Sequence, residues 1–192
     1  MDNKVPEWFG RTEIAPNLPH DIEEIINDVA ERSGFIPNVF SALSHTPAEF
    51  RAFFGYHDAL MGKTGSLSRA EKEMIVVATS SANSCTYCVV AHGAILRIRS
   101  KSSSISELVT VDYKLAGLPD RQIAILDFAM KVALEAHRIV ESDFEPLYRA
   151  GLDDRDIWEV GAIAAFFAMS NRIAGFARIL PNSEFHAMGR DF

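Results

Sequence analysis

Cys85-Thr86-Tyr87-Cys88 and His92 are the residues of this chain whose types and spacing suit chemistry. On a helix, residues three apart share a face, so the two sulfurs come close enough for a disulfide. Cys88 and His92 are four apart and are also neighbours. Cys85 and His92 are two turns apart, about 10 Å along the axis, so the imidazole serves Cys88 and not Cys85 directly. The run Ser80-Ser81-Ala82-Asn83-Ser84 is a natural helix break, and Asn83 or Ser84 is the expected N-cap of a new helix with Cys85 in its first turn. Free N–H groups and the positive end of the helix dipole stabilise a thiolate there, where thiol pKa values fall from ~8.5 to roughly 3.5–7.5. An imidazole titrates in the range that a base or proton carrier for Cys88 requires. The chemistry expected is thiol redox.

The rival readings are structural or metallic. A buried cysteine is often only a small hydrophobe. A structural zinc takes four Cys or His ligands and only three sit here. A fourth would have to come from Glu73, His45, His57, His137 or His186, and the site is read without a metal. Those histidines show no local partner pattern and read as surface or helix-packing residues. The Phe50-Phe53-Phe54 stripe reads as core. On one straight helix Glu73 would lie about 18 Å from Cys85. Only a fold-back at 80–84 would join them, so spacing alone leaves Glu73 a solvated glutamate.

Composition sets the surroundings. The 192 residues are 48% hydrophobic and 23% charged, an ordinary globular balance. Nineteen basic and 26 acidic side chains give a net charge of −7. No Lys/Arg cluster suits a phosphate backbone, so no nucleic-acid partner is expected, and an acidic surface discourages anionic membranes. The first twenty residues lack the basic start and apolar run of a signal peptide, and no stretch approaches the ~18 apolar residues of a membrane span. A cytoplasmic location is expected. In that reducing compartment two close cysteines are redox-active or metal-binding rather than a staple.

The elements that must position these residues are helical. Residues 1–19 read as an irregular arm. Ile22, Ile25, Ile26 and Val29 give a short amphipathic helix that Gly34 ends, and Pro37 sits in the first turn of the next. Capping boxes at Thr46, Ser68, Ser104 and Ser142 open further helices; the one from Ser68 runs to about Thr79. Gly62 and Gly65 end the helix from Thr46, Pro119 opens a long one, and Asp153 or Asp154 caps a last one running to about Ile179. Met74 to Ala78 is a short apolar run that a buried strand would also explain, but the cap and the alanines favour helix. The expectation is one all-α domain of roughly eight helices. A slide of 86 residues aligns Glu73 with Glu159, Ser84 with Ser170 and Ala91 with Ala177, suggesting two duplicated halves, 20–100 with the cysteines and 104–192 without them. Asn171, Ala174 and Arg178 then occupy the places of Cys85, Cys88 and His92.

Glu73, eleven residues, Cys-x-x-Cys, three residues and His92 resembles the alkylhydroperoxidase D/carboxymuconolactone decarboxylase superfamily. Residues 34–40, 85–92, 166–172 and 184–190 are like its uncharacterised peroxidase-related branch, so the resemblance covers nearly the whole chain. It implies an AhpD-like helical fold, a homo-oligomer (dimer to hexamer) and reduction of a small hydroperoxide. By that analogy Cys88 attacks the peroxide to give a sulfenic acid, Cys85 resolves it as a disulfide, and Glu73 and His92 form the proton relay. No bound cofactor is implied; an external dithiol, a thiol or a lipoyl-type reductant protein, would reset the pair. The family's peroxidases carry a histidine of the relay where this chain has Tyr87. Two alternatives stand beside this: a decarboxylase-like lyase using His92 and Glu73 without thiol chemistry, and a non-catalytic thiol- or zinc-binding oligomer.

Overall fold

The computed structural model describes residues 5–192; the first four residues of the expected arm lie outside the described residues. Nine α-helices and four short 3₁₀ turns, with no strand among the described residues, make up the fold. The helices are α1 (His20–Ser33), α2 (Asn38–Ser44), α3 (Pro47–Met61), α4 (Arg69–Ala82), α5 (Thr86–Ser100), α6 (Ile105–Asp112), α7 (Asp120–Glu135), α8 (Glu145–Arg149) and α9 (Asp154–Phe176).

The central helix is α4, packed against α5, α6, α7 and α9. Residues 71–80 are all buried, so Met74–Ala78 is apolar because it is surrounded, not because it is a strand. Its start is the Ser68 capping box in full: Ser68 Oγ accepts from Glu71 N–H at 3.1 Å and Glu71 returns a carboxylate oxygen to Ser68 N–H at 2.8 Å. The Asp153 cap of α9 forms in the same way with Asp156.

Three expected caps do not form. Thr46 turns its hydroxyl back to donate to Leu43 O at 3.2 Å, and Pro47 alone marks the start of α3. Ser104 makes no cap bond and leaves α6 to its tertiary contacts. Ser142 is not a cap either; Asp143 accepts from Val140 N–H at 2.7 Å and forms a 3₁₀ turn before the short α8. A hydroxyl three residues before a glutamate satisfies the pattern in sequence, but nearby carbonyls compete for it. Pro37 likewise stands one residue before α2 and not within it.

Burial of α4 takes three consecutive charged side chains into the core, and each has a partner. Glu71 pairs with Arg121 at 3.1 Å. Glu73 meets His92. Lys72, 1% exposed, contacts Glu159 of α9 and donates to the carbonyls of Leu60 and Lys63 at 2.9 and 2.7 Å. The Lys72 ammonium thus fixes the loop after α3 to the core. Removing one member of a buried pair strands the other charge. Glu159→Ala is therefore expected to lower unfolding free energy by about 3–5 kcal/mol in urea titrations. Lys63→Ala, which removes only the half-exposed partner of Glu159, is expected to cost at most about 1 kcal/mol.

Candidate active site

The end of α4 determines the site. Ser84 is left-handed at φ 56°, an unusual conformation for a residue with a Cβ. Cys85 N–H donates to Ser80 O and Ser84 N–H to Ser81 O, both at 2.9 Å. This is a Schellman termination with serine in the place glycine usually takes. It turns the chain so that α5 runs back along α4, and Glu73 comes to lie beside His92 with Glu73 Oε2 2.8 Å from Nδ1. Both side chains are largely buried. The solvated position that spacing alone assigns to Glu73 is thus overturned by the reversal.

Serine therefore closes one helix and does not open the next. The N-cap of α5 is Cys85 itself, one residue later than expected, and its sulfur accepts from Cys88 N–H at 3.4 Å. Cys88 lies in the first turn, 1% exposed, with Sγ 3.9 Å from Ser170 Oγ; Cys85 is 5% exposed. Both thiols are free. The Cys88 thiol as donor, then Cys88 N–H and Asn171, outweigh burial and bring the Cys85 thiol down to about 7. The same shared proton, with burial, pushes Cys88 up. The pair is thus biased toward charge on Cys85 and the proton on Cys88.

The two sulfurs open on different spaces. Cys88 and His92 line an apolar cavity of about 540 Å³ walled by Val29 of α1, Phe40 of α2, Phe54 of α3, Phe167 of α9 and Met188 of the C-terminal segment. Cys85 lines a separate pocket of about 180 Å³. A further groove of about 550 Å³ around Phe128, Phe144 and Trp158 contains neither thiol nor imidazole.

A second imidazole also lines the large cavity. His57 of α3 stands with its ring centre 6.5 Å from that of His92, packs against Phe54 and Phe166, and has Nδ1 2.9 Å from Asp58 Oδ1. Burial lowers its pKa, more than Asp58 raises it. The sequence offered a signal that local pattern did not convey: His57 continues the Phe50, Phe53, Phe54 stripe, so a polar ring sits on the face of α3 that is otherwise core. Ser170 and Asn171, from the far half of the chain, stood out in the sequence only through the internal repeat and the family resemblance, neither of which placed them beside the cysteines; Asn171 joins the site by accepting from Asn83 at 3.0 Å and donating to Ser80 Oγ at 2.9 Å.

Of the other expected positions, Tyr87 lines both cavities and the histidines fall elsewhere. Tyr87 is buried, but its hydroxyl accepts from Val39 N–H at 3.4 Å and its ring faces Phe185. It ties α5 to α2 and the tail. His45 stacks on Trp8 at 5.1 Å and His137 lies in an exposed turn. Among the described residues, no three His, Cys, Asp or Glu side chains are placed to hold a metal ion.

A thiol whose folded pKa is depressed reacts as a thiolate at lower pH, and its stabilising contribution is lost as pH falls through about 7. Iodoacetamide alkylation of Cys85 is expected to rise with pH to a midpoint near 7. In Cys88→Ala the donor is gone, and the midpoint should move up toward the ordinary ~8.5. An unmoved midpoint would contradict the thiol–thiolate bond.

Comparison with known proteins follows the same lines. The carboxymuconolactone decarboxylase family model matches residues 47–119, which hold α4, its break and the Cys-x-x-Cys helix. A search of curated proteins finds no match. Among solved structures, an uncharacterized peroxidase-related protein from Ralstonia eutropha JMP134, described as an alkylhydroperoxidase AhpD core, is 51% identical, with a TM-score of 0.92 over 97% of this chain and 98% of that one. One from Silicibacter sp. TM1040 is 36% identical, with a TM-score of 0.90 over 99% and 100%. The debrominase Bmp8 shares the fold at 19% identity, with a TM-score of 0.73 over 88% and 89%. With half its residues identical to a relative matched over nearly its full length, the chain belongs to the AhpD/carboxymuconolactone decarboxylase superfamily.

Proposed function

We propose that the protein is a thiol-dependent hydroperoxidase-type oxidoreductase. The observation that carries this reading is the shared cavity: Cys88 and His92, the latter held by Glu73 at 2.8 Å, line one apolar space. The peroxidase-related descriptions of the two closely similar structures support it.

The residues divide the work as follows. A hydroperoxide enters the cavity beside Cys88. His92, oriented by the Glu73 carboxylate, takes the thiol proton. The Cys88 sulfur attacks the terminal peroxide oxygen, the O–O bond breaks, and the departing alkoxide takes a proton to leave as alcohol. Cys88 becomes a sulfenic acid. The Cys85 thiolate then attacks the Cys88 sulfur, forms the disulfide and expels hydroxide, which is protonated to water. An external thiol restores the pair in two exchange steps. In this scheme the low pKa of Cys85 suits a resolving thiol that is already ionised, whereas Cys88 needs the base beside it. The protein acts as a cytoplasmic homo-oligomer, from dimer to hexamer, and light scattering on the purified protein measures that size.

One equivalent of organic hydroperoxide is expected to consume two thiols per chain and to leave a Cys85–Cys88 disulfide by mass spectrometry. Cys88→Ser should abolish turnover, and Glu73→Gln should slow thiol oxidation by ~10²-fold, the ordinary worth of a positioned base. Peroxide consumption that survives Cys88→Ser would sink the reading, and reaction with a lactone insensitive to thiol alkylation would favour a lyase.

A further inference from the structure

The Cys85–Cys88 pair lies between two cavities, and only one is used by the scheme above. Cys88 belongs to the large apolar cavity, which does not include Cys85. Cys85 lines a pocket of about 180 Å³ with Thr86, Gly175, Arg178 and Leu180, and this pocket does not include Cys88 or His92. Of the two cysteines, Cys85 is also the less deeply buried.

Arg178 gives the second pocket its chemistry. It is the only charged residue lining the pocket. It is exposed, and its guanidinium makes no ion pair or hydrogen bond with the described residues. Its backbone is left-handed at φ 57°, in a Schellman termination of α9 like that of Ser84 on α4: Ile179 N–H donates to Ala174 O at 2.9 Å and Arg178 N–H to Gly175 O at 3.2 Å. In a chain of net charge −7, an unpaired guanidinium beside a reactive sulfur is a local attraction for an anion. The volume is below the range of sites that enclose a whole drug-sized ligand and suits the reactive end of a small thiol.

We propose that this pocket is the entry port for the reductant, and that it takes a small thiol bearing a carboxylate, which Arg178 holds while the thiol attacks Cys85. The inference rests on the thiol-redox reading. The reductant thiolate attacks the Cys85 sulfur of the Cys85–Cys88 disulfide, the S–S bond breaks, and Cys88 leaves as a thiolate and takes a proton from its own cavity, where His92 lies. A second reductant thiolate attacks the reductant sulfur of the mixed disulfide and releases Cys85. Two thiols thus become one small disulfide, and both cysteines are reduced. Cys85, whose thiolate is stabilised, is the better leaving group in that second step. Separate ports let reductant bind without displacing the alcohol from the large cavity.

The test uses the full chain oxidised with diamide, so it does not depend on peroxide. Reduction rates are compared for 3-mercaptopropionate and 3-mercaptopropionamide, which differ in the carboxylate. The wild type is expected to favour the anion, and Arg178→Glu should lower the anion-to-amide ratio by at least about fivefold, the upper range for an exposed ion pair. The neutral amide serves as the reference for any general damage to the fold. Mass spectrometry of a quenched reaction should find the mixed disulfide on Cys85 and a free Cys88. A ratio unmoved by Arg178→Glu, an adduct on Cys88, or a pair that diamide cannot close overturns the port. A diamide-formed disulfide with the expected charge preference, in a protein that no hydroperoxide oxidises, would sink the peroxidase reading and leave the port standing.

Discussion

The reversal at the end of α4 is the constraint on which the site depends. Ser84 takes a left-handed conformation that costs an L-residue roughly 1–3 kcal/mol, and two backbone hydrogen bonds to Ser80 and Ser81 hold it there. Three consequences follow from that one turn. The helix α5 folds back on α4, so a glutamate twelve residues before the first cysteine reaches a histidine seven residues after it. Cys85 becomes the cap of α5, where its sulfur replaces the oxygen that a serine or aspartate normally supplies. Cys88 is placed one turn inside, against Ser170 of α9. Had the helix run straight through, the four residues would share no site.

The asymmetry of the two thiols has the same origin. Two sulfurs that share a proton cannot both ionise easily, because the second charge would be buried against the first. The cap position decides which one holds the charge. Asn171 serves both thiols and Ser170 adds to Cys88, but only Cys85 receives both the thiol and the backbone N–H of its partner. The large cavity lies on the Cys88 side, with two imidazoles, His57 and His92, each beside a carboxylate. Its apolar walls come from five helices, α1, α2, α3, α5 and α9, and the C-terminal segment, which Arg97 fastens by donating to Phe185 O and Met188 O at 2.8 and 2.9 Å. A polar substrate group brought into such a space is obliged to bond to the few polar side chains there.

The sequence by itself determined a good deal. The all-helical class, the starts of α4, α7 and α9 and the Ser68 cap follow from 3.6-residue spacing and local capping chemistry, which act within one or two turns; the ends do not, α4 running on to Ala82 and α9 stopping at Phe176. The pairing of Cys88 with its neighbours on α5, and the resemblance that joined Glu73 to the cysteines, were legible in the same way. What only the tertiary structure decided depends on contacts between distant segments. Whether Ser84 ends one helix or starts another, whether Thr46 and Ser104 cap, and whether Glu73 is solvated are set by what packs against them. So are the positions of His57, Asn171 and Arg178, which lie tens of residues from the motif. The Cys-x-x-Cys pair was read from spacing as two sulfurs on one face; packing against α9 made the two unequal and opened them on separate cavities, because burial and hydrogen bonding act through space and not along the chain.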